Sequence, residues 1–298
     1  MIGVVAHDAG GAEILASYVA RRKELCKLVL AGPAKRIFEQ RLGRYRTVQL
    51  DEALLSCEWV LCGSGWQTDF EWQAMKKCRD IGKHCVVFLD HWVNYRSRFI
   101  RYGEEQLPDE IWVGDEHALG LAREIFDQTP VALVENPYFA DIREQFNSAS
   151  EAHQKNEECT VLYLCENIGT YQEGGWVAEA VASFTQTEFL RYFLDNIKVV
   201  GNSIRYVTVR PHPSEPADKY NWVLERYGSW IRFSGGKSLI EEIAASDIVV
   251  GHATMAMAVA LMANKIVINC GGPGGAPCPL PFNDIVDFSS LVRSYQPK

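Results

Sequence analysis

The chain has 298 residues, of which 47% are hydrophobic and 23% are charged. This composition supplies apolar side chains for two cores of ordinary size and excludes a disordered protein. The formal net charge of −8 excludes an overall basic surface, so we do not expect a nucleic-acid partner.

No apolar run approaches the roughly 20 residues that span a bilayer, and the amino-terminal residues lack the pattern of a signal peptide. We therefore expect a cytoplasmic protein. The sequence leaves open whether a surface patch also contacts a membrane peripherally. The nine cysteines include no CxxC pair and no cysteine–histidine cluster with zinc spacing. We expect no metal site, and we expect Cys62, Cys85 and Cys165, which lie in apolar segments, to be buried thiols.

Short β-branched segments alternate with longer amphipathic segments, which is typical of parallel sheets covered by helices. In the first half the predicted strands are Ile2–Ala6, Lys27–Ala31, Thr47–Leu50, Trp59–Cys62, Cys85–Leu89, Glu110–Gly114 and Val131–Val134. In the second half they are Thr160–Cys165, Tyr206–Val209, Trp230–Phe233, Asp247–Val250 and Lys265–Asn269.

A polar segment at Ser148–Glu158, rich in Ala, Ser, Glu and Gln, is predicted to link two domains, residues 1–147 and 159–298. Each domain has the alternation of a Rossmann-like α/β fold, and we expect the carboxyl ends of both sheets to face a shared cleft. Ligands of such sheets bind outside the carboxyl ends of the strands. Candidate chemistry is therefore sought in the loops that follow strands.

The loop after the first strand reads HDAGG and leads into a helix predicted over Ala12–Arg22. Two glycines allow a ligand to approach the backbone, and a helix amino terminus favours anions. His7 and Asp8 are candidate catalytic groups, and Gly10 and Gly11 are candidate nucleotide contacts. The alternative is a tight turn in which Asp8 only caps the helix.

Two further loops of the first half carry polar side chains. The GSGW segment at 63–66 is typical of a loop that lines a sugar or acceptor site, but it is equally typical of a tight turn. The segment after the strand Cys85–Leu89 begins with Asp90 and His91, and this acid beside an imidazole is the strongest catalytic candidate of the half. In the alternative interpretation Asp90 caps a turn, Trp92 and Tyr95 belong to the core, and the following arginines lie on the surface.

In the second half, RPHPSE follows the strand Tyr206–Val209. Two prolines fix the backbone around His212, and a cation next to an imidazole suits a phosphate oxygen. Arg210, His212 and Pro213 are therefore candidate donor contacts, and a structural histidine is the alternative.

The strand Asp247–Val250 runs into Gly251 and His252, which are candidate nucleotide contacts, and then into a helix predicted over Thr254–Met262. Thr254 is placed to cap this helix and to hold a phosphate at its amino terminus.

The second half has three other features. Ser238 and Glu241 form a predicted capping box. Glu166, at the end of the first strand of this half, is a candidate contact to a ribose or base. The GGKS segment at 235–238 lacks the earlier glycine and the strand of a P-loop, so we exclude an ATPase.

The order of RPHPSE, SLIEEIAASDIVVG and a small-residue helix from Thr254 resembles the nucleotide-binding halves of GT-B glycosyltransferases. The nearest likeness is to bacterial sialyltransferases with a His-Pro motif and to polysaccharide-building proteins such as CDP-glycerol transferases. The resemblance covers roughly Thr160 to Asn269, and the first half has no such family motif.

The resemblance implies that His212 and Pro213 contact the donor nucleotide, and that Thr254 lies where hydroxyl residues hold its phosphate. This chain reads HAT at 252–254 instead of a pair of serines, so the donor stays open, with a CMP-sugar favoured. The acidic base motif of the sialyltransferases is absent, so Asp8 or Asp90 would stand in for it.

These observations predict a metal-independent, cofactor-free glycosyltransferase that moves a sugar from a nucleotide-activated donor to a glycan or lipid-linked acceptor in polysaccharide biosynthesis. We expect Asp8 to be the base, with Asp90 and His91 on the acceptor side, and the phosphates to be held by the second half. One alternative is a nucleotide-sugar epimerase or hydrolase on the same scaffold. The other is a catalytically silent subunit that binds a sugar nucleotide or a glycan.

Overall fold

The structure is a computed structural model that describes residues 1–65, 68–149, 158–166, 185–201, 203–212, 215–216, 218–252, 254–272 and 277–295. The chain divides into two compact units, Met1–Asp141 and Ile142–Lys298. Each unit contains one six-stranded sheet in which every strand pairs in parallel.

The first unit alternates strands and helices: β1 (Ile2–Ala6), α1 (Ala9–Arg22), β2 (Cys26–Leu30), α2 (Ala34–Leu42), α3 (Leu50–Ser56), β3 (Trp59–Cys62), α4 (Phe70–Asp80) and β4 (Cys85–Phe88). A 3-10 turn at Arg96–Phe99 leads into a hairpin of β5 (Ile100–Arg101) and β6 (Glu104–Glu105). The remaining elements are β7 (Glu110–Val113), α5 (Glu116–Ile125), β8 (Val131–Leu133) and α6 (Pro137–Ala149), which crosses into the second unit.

The second unit contains β9 (Cys159–Leu164), α7 (Gln186–Asp195), β10 (Ile204–Arg210), α8 (Trp222–Tyr227), β11 (Ile231–Phe233), α9 (Leu239–Ala244), β12 (Ile248–Gly251), α10 (Met255–Met262), β13 (Ile266–Asn269), β14 (Ile285–Asp287) and α11 (Phe288–Ser294).

The two sheets share a strand order. The second reads β11-β10-β9-β12-β13-β14, which is the 3-2-1-4-5-6 order of a Rossmann fold. The first reads β2-β1-β3-β4-β7-β8 and gains the same order if the isolated bridge between Leu28 and Thr47 is counted as its edge strand. The order reverses between β1 and β3 and between β9 and β12, which is where doubly wound sheets bind ligands.

Continuous apolar strands explain why both sheets are parallel and buried. Strands covered on both faces consist of unbroken apolar runs, and β1 and β4 are buried along their whole length. Val4 joins Leu15 and Phe38 in the core of the first unit, and Val250 joins Phe193 in that of the second. Burial of each such side chain contributes roughly 1.5–3 kcal/mol, so the cores hold the strand ends in place.

Most predicted strands are confirmed to within two residues, and Ile2–Ala6 and Trp59–Cys62 are confirmed without change. The strand predicted at Thr47–Leu50 is wrong. Only its first residue pairs, and α3 begins at Leu50 because Asp51 and Glu52 favour a helix amino terminus. The pattern also fails to predict β14 and the β5–β6 hairpin, because strands of two or three residues show no alternation.

Helix starts in the second unit follow their capping signals. Thr254 caps α10, and Ser238 and Glu241 form a reciprocal capping box at α9, as predicted. In the first unit α1 begins at Ala9, three residues earlier than predicted, so Gly10 and Gly11 lie within its first turn.

Cys62, Cys85 and Cys165 are buried free thiols, as predicted. The predicted linker lies mostly at residues 150–157, outside the described residues, so the domain boundaries stay a prediction. Across the described part of the chain, none of the helices combines the length and the apolar character that a membrane span requires. The cytoplasmic location is likewise still a prediction.

Candidate functional site

The loops that follow β1, β3 and β4 pack against one another at the carboxyl edge of the first sheet. A side chain at Gly11 would place its β-carbon 3.1 Å from Gly63 Cα, and one at Gly10 would overlap the Asp90 carboxylate. A β-carbon at either position would press on a neighbouring loop, so both glycines have a packing role apart from any ligand. Nucleotide binding by Gly10 and Gly11 stays a prediction.

His7 and Asp8 form a hydrogen-bonded pair directly after β1. Nδ1 of His7 lies 2.7 Å from Oδ1 of Asp8, and both side chains are largely buried. Asp8 occupies the N-cap position of α1, but within the described residues its side chain makes no cap bond to that helix, so capping does not explain it. A carboxylate bound to Nδ1–H leaves Nε2 of a neutral imidazole as an acceptor, which is the arrangement of an oriented general base.

The ring of His7 packs against Gly32, which follows β2. Gly32 has a φ of +49°, and a β-carbon there would lie 2.5 Å from His7 Nε2. Glycine is therefore favoured here for two reasons: it adopts a left-handed backbone without strain, and its lack of a side chain leaves room for the imidazole.

Glu71, in the first turn of α4, holds the same loop in place. Its side chain is buried, and its Oε1 accepts hydrogen bonds from the backbone N–H of His7 at 2.6 Å and of Asp8 at 3.4 Å. Burial and the neighbouring Asp8 carboxylate raise the pKa of Glu71. Sequence reasoning missed this residue, because a glutamate in a first helical turn normally faces solvent and favours the helix dipole.

Asp90 is held by Ser64 and Arg98. Its Oδ1 accepts from Ser64 Oγ at 2.8 Å and from the Arg98 guanidinium, which is itself buried and donates to the Ser64 carbonyl at 2.8 Å. Burial alone would raise the pKa of Asp90, but Arg98, His91 and Ser64 together hold it below its usual value. The alternative with surface arginines is therefore wrong for Arg98, and Asp90 is a weak base.

His91 lies beside this cluster as a neutral imidazole. Burial lowers the pKa of His91 to about 4, so the ring carries no charge at pH 7. Trp92 and Tyr95 are buried, as the alternative interpretation expected, and Trp92 Nε1 donates to Asp115 at 2.8 Å. The segment from Asp90 is thus partly core and partly polar edge.

Arg101 is a second arginine that the 3-10 turn and its hairpin bring to this edge. Its Nη2 donates to the carbonyls of Gly65 at 3.2 Å and Thr68 at 3.3 Å. Arg96, in contrast, is exposed and pairs with Glu105. The roles of Arg98 and Arg101 could not be separated from that of Arg96 in the sequence, because they depend on how the turn packs.

In the second unit, Arg210 is engaged within its own domain. Its Nη1 binds Glu242, the Ser234 hydroxyl at 3.1 Å and the Lys237 carbonyl at 3.2 Å. Glu242 is buried, so this ion pair has a structural role. The predicted phosphate contact of Arg210 is untested, and these contacts favour a supporting role.

The loop of His212 is fixed by a buried acid. Glu215 accepts from the His212 backbone N–H at 2.9 Å, from Lys219 at 2.6 Å and from the Tyr220 hydroxyl at 2.8 Å. This network orients the end of β10, where a phosphate ligand was predicted. Pro213 lies outside the described residues.

Glu166, His212 and Thr254 come together at the carboxyl edge of the second sheet. Burial raises the pKa of Glu166, while a hydrogen bond from the Thr254 hydroxyl and the nearby His212 oppose that shift. Thr254 also accepts from the Ala256 N–H at the start of α10. The three loops that sequence reasoning chose separately therefore meet, and each brings a polar group.

His252 is buried next to this set. Its Nδ1 lies 2.9 Å from Asn269 Oδ1, and its ring meets Phe189 edge to face. Burial lowers the pKa of His252, so it is neutral at pH 7 with Nε2 as an acceptor. A β-carbon on Gly251 would lie 3.2 Å from Thr254, so this glycine lets the turn close. Direct nucleotide contacts of both stay a prediction.

Within the described ranges, no three His, Cys, Asp or Glu side chains are grouped so as to hold a metal ion. No protein-family model matches the chain, and no curated protein sequence does.

Solved structures with a similar fold include the UDP-GlcNAc 2-epimerase from Methanocaldococcus jannaschii, with a TM-score of 0.62 at 12% identity over 98% of this chain and 90% of that chain. The UDP-GlcNAc 2-epimerase from Neisseria meningitidis bound to UDP-GlcNAc has a TM-score of 0.54 at 12% identity, over 98% and 85%. The glycosyltransferase of kitacinnamycin has a TM-score of 0.50 at 10% identity, over 95% and 81%.

Identities this low establish the fold alone. They confirm an α/β chain with two Rossmann-like domains of the GT-B type. The nearer likeness to bacterial sialyltransferases and the shared cleft stay predictions.

Proposed function

We propose that the chain is a glycosyltransferase that moves a sugar from a nucleotide-activated donor to a hydroxyl of a glycan or lipid-linked acceptor. The observation that carries this proposal is the hydrogen-bonded His7–Asp8 pair, which lies at the carboxyl end of β1, where the strand order reverses. Similar folds that bind UDP-GlcNAc or belong to a glycosyltransferase support a nucleotide-sugar substrate. A CMP-sugar is the first donor to test, without a cofactor or metal.

In this proposal His7 is the base and Asp8 orients it. Nε2 of His7 takes the proton of the acceptor hydroxyl while that oxygen attacks the anomeric carbon of the donor sugar. The bond between the anomeric carbon and the phosphate oxygen breaks, and its electron pair leaves with the nucleotide. The Asp8 carboxylate stabilises the imidazolium that forms. This assignment differs from the sequence expectation of Asp8 as base, because the Nδ1 contact turns the pair into an oriented imidazole.

Asp90 has a positioning role in the proposal. Its carboxylate is held ionised by Arg98 and Ser64, so it is suited to accepting hydrogen bonds from sugar hydroxyls rather than to removing a proton. His91 beside it is neutral and can add a further hydrogen bond without adding charge.

The second unit supplies the donor contacts. The amino terminus of α10 with Thr254, and the imidazole of His212, are proposed to meet the negative charge that develops on the leaving phosphate. Glu166, bound to the Thr254 hydroxyl, is proposed to accept hydrogen bonds from the ribose. Arg210 supports the loop through Glu242.

A second candidate is a nucleotide-sugar epimerase. It is favoured by the fold similarity to two UDP-GlcNAc 2-epimerases, which exceeds the similarity to the kitacinnamycin glycosyltransferase. Such an enzyme needs acids and bases on the sugar itself, and Asp8 and Asp90 give the first unit two carboxyl groups at the carboxyl edge of its sheet.

One experiment separates these functions. The purified chain is incubated with CMP-, CDP-, UDP- and GDP-sugars, first alone and then with glycan acceptors, and the products are followed by ¹H NMR. Turnover that requires an acceptor supports the glycosyltransferase. An epimer formed without acceptor supports the second candidate, free sugar indicates a hydrolase, and binding without any turnover indicates a silent binding subunit.

A further inference from the structure

The two carboxylate oxygens of Glu71 have different surroundings. Oε1 accepts from two backbone N–H groups, those of His7 and Asp8. Oε2 is buried and has no hydrogen-bond partner among the residues that the structure describes. A β-carbon on Gly65 would lie 2.7 Å from this Oε2 and 2.9 Å from Asp8 Cγ. Two carboxyl groups therefore converge on one glycine, away from water.

The charged and titratable groups around Glu71 come from three elements. Asp8, with His7 bound to it, follows β1; Cys62 ends β3; and Arg101 belongs to the β5–β6 hairpin. Arg101 is the only cation of this set, and its Nη2 is already bound to the carbonyls of Gly65 and Thr68. Two neighbouring buried carboxylates that share so little positive charge cannot both ionise without a large cost.

We propose that Glu71 is a positioning residue that keeps a proton on Oε2 at neutral pH, so that Asp8 alone is ionised and bound to His7. The proton is placed on Glu71 because His7 Nδ1 lies 2.7 Å from Asp8 Oδ1, whereas Oε2 of Glu71 has no hydrogen-bond partner among the described residues. The proton removes the like-charge repulsion between the two carboxyl groups, and the two N–H bonds to Oε1 keep the loop after β1 in place. The consequence for catalysis rests on the proposed function of His7, but the protonation itself does not.

Stability against pH tests the protonation without any substrate. A carboxyl whose pKa is raised in the folded chain binds more protons there than in the unfolded chain, so the contribution of Glu71 to the stability of the wild type falls as pH rises above the ordinary glutamate pKa of about 4.5. Glu71→Gln is neutral at every pH and keeps an acceptor for both N–H groups. The melting temperature of Glu71→Gln minus that of the wild type should therefore increase between acid and neutral pH, by roughly 2–4 °C or more.

Glu124→Gln is the matched control, because Glu124 is exposed on α5. Its melting temperature should follow that of the wild type at all pH values. A Glu71→Gln variant that shows the same pH dependence as the wild type, or that is destabilised increasingly as pH rises, overturns the inference.

Turnover then distinguishes positioning from mere packing. If the glycosyltransferase is correct, Glu71→Gln should keep kcat within a few-fold at pH 7 and lose less activity than the wild type at alkaline pH. Glu71→Ala, which loses the two N–H bonds, should be impaired at every pH. If no nucleotide-sugar is turned over at all, the proposed function fails while the stability test still decides the protonation.

If Glu71→Gln does not fold, the wild-type chain supplies the measurement. With ¹³C in the glutamate side-chain carboxyls, NMR should show three carboxyls that titrate above the exposed ones, those of Glu13, Glu71 and Glu166. The double variant Glu13→Gln/Glu166→Gln should remove two of them and leave that of Glu71. A spectrum in which this double variant leaves no raised carboxyl overturns the inference.

Discussion

Neighbouring groups, rather than residue type, separate the roles of Asp8 and Asp90. Both follow strands of one parallel sheet, and both are close to a histidine. Asp8 binds the Nδ1 of His7 and so prepares Nε2 for proton transfer. Asp90 binds a buried arginine and a serine hydroxyl, which lowers its pKa and makes it a poor base. The proposed function therefore gives the first site the proton transfer and the second the binding of the sugar.

Substitutions at these residues test that division. His7→Gln should lower kcat by about 10² to 10⁴, the usual contribution of a general base, while nucleotide affinity stays unchanged. Asp8→Asn should act through the same pair, so the double variant should be little worse than His7→Gln alone. Steady-state kinetics and calorimetric nucleotide binding give the two quantities separately.

Asp90→Asn should behave differently, because it leaves Arg98 buried without its carboxylate. Breaking a buried pair costs about 3–5 kcal/mol, so urea unfolding should show the main effect of this variant.

Near-normal turnover in a folded His7→Gln variant would contradict the assignment of His7 as the base. The epimerase or the silent binding subunit would then become the better interpretation.

Sequence reasoning reached some site residues and not others for a physical reason. His7, Asp8, Asp90 and His212 follow strands, and the loop positions of a parallel sheet are readable from a strand pattern. Glu71 and Arg98 act through contacts with segments far away in sequence. Nothing in the spacing of either residue distinguishes a buried partner from a solvated helix or turn residue.

At the scale of elements, the turns after β1 and β2 are shaped around the His7 ring. Gly32 adopts a left-handed backbone against the imidazole, and Gly65 lies against Asp8 and Glu71. Small residues in these turns let polar side chains of neighbouring loops pack within hydrogen-bond distance.

Gly32→Ala should therefore impair turnover by displacing the His7 ring. Gly82→Ala is the matched control, because Gly82 also has a positive φ, +66°, but a β-carbon there meets nothing within 4 Å. Both variants should lose about 1–2 kcal/mol of stability from the left-handed backbone, and only Gly32→Ala should lose kcat. Equal turnover in the two variants, measured beside their melting temperatures, would contradict the role of the turn.

The elements themselves were predictable where their patterns are long. The apolar run of β1 and the capping box of α9 were readable in the sequence because burial and capping each leave a clear residue pattern. The strand prediction at Thr47–Leu50 is wrong because helix-favouring acids directly follow the residues that show the strand pattern. Whether such a segment becomes a strand or a helix start depends on the strands beside it. This segment lies at the edge of the sheet, where only one bridge forms.

At the scale of the whole molecule, the two sheets follow the same strand order once the Leu28–Thr47 bridge is counted, but their edges carry different side chains. The first edge holds acids, two imidazoles and two arginines, whereas the second holds a helix amino terminus, a threonine, two histidines and the carboxyl of Glu166. Since this fold hosts several reactions, the fold alone does not select among them. The proposed function rests on this asymmetry, because it places proton transfer in the first unit and nucleotide binding in the second.

The donor assignment predicts selective stabilisation by nucleotides. A ligand at a hundred times its Kd stabilises the folded chain by about 2.7 kcal/mol, so a thermal-shift series with CMP, CDP, UDP and GDP should single out one base. His212→Ala should weaken that nucleotide roughly tenfold or more, because a charge-assisted contact is worth about 1.5–3 kcal/mol. His117→Ala, at an exposed position of α5, should leave the affinity unchanged. If the folded His212→Ala variant binds as tightly as the control, the phosphate must be held without this imidazole, and the amino terminus of α10 with Thr254 becomes the site to vary.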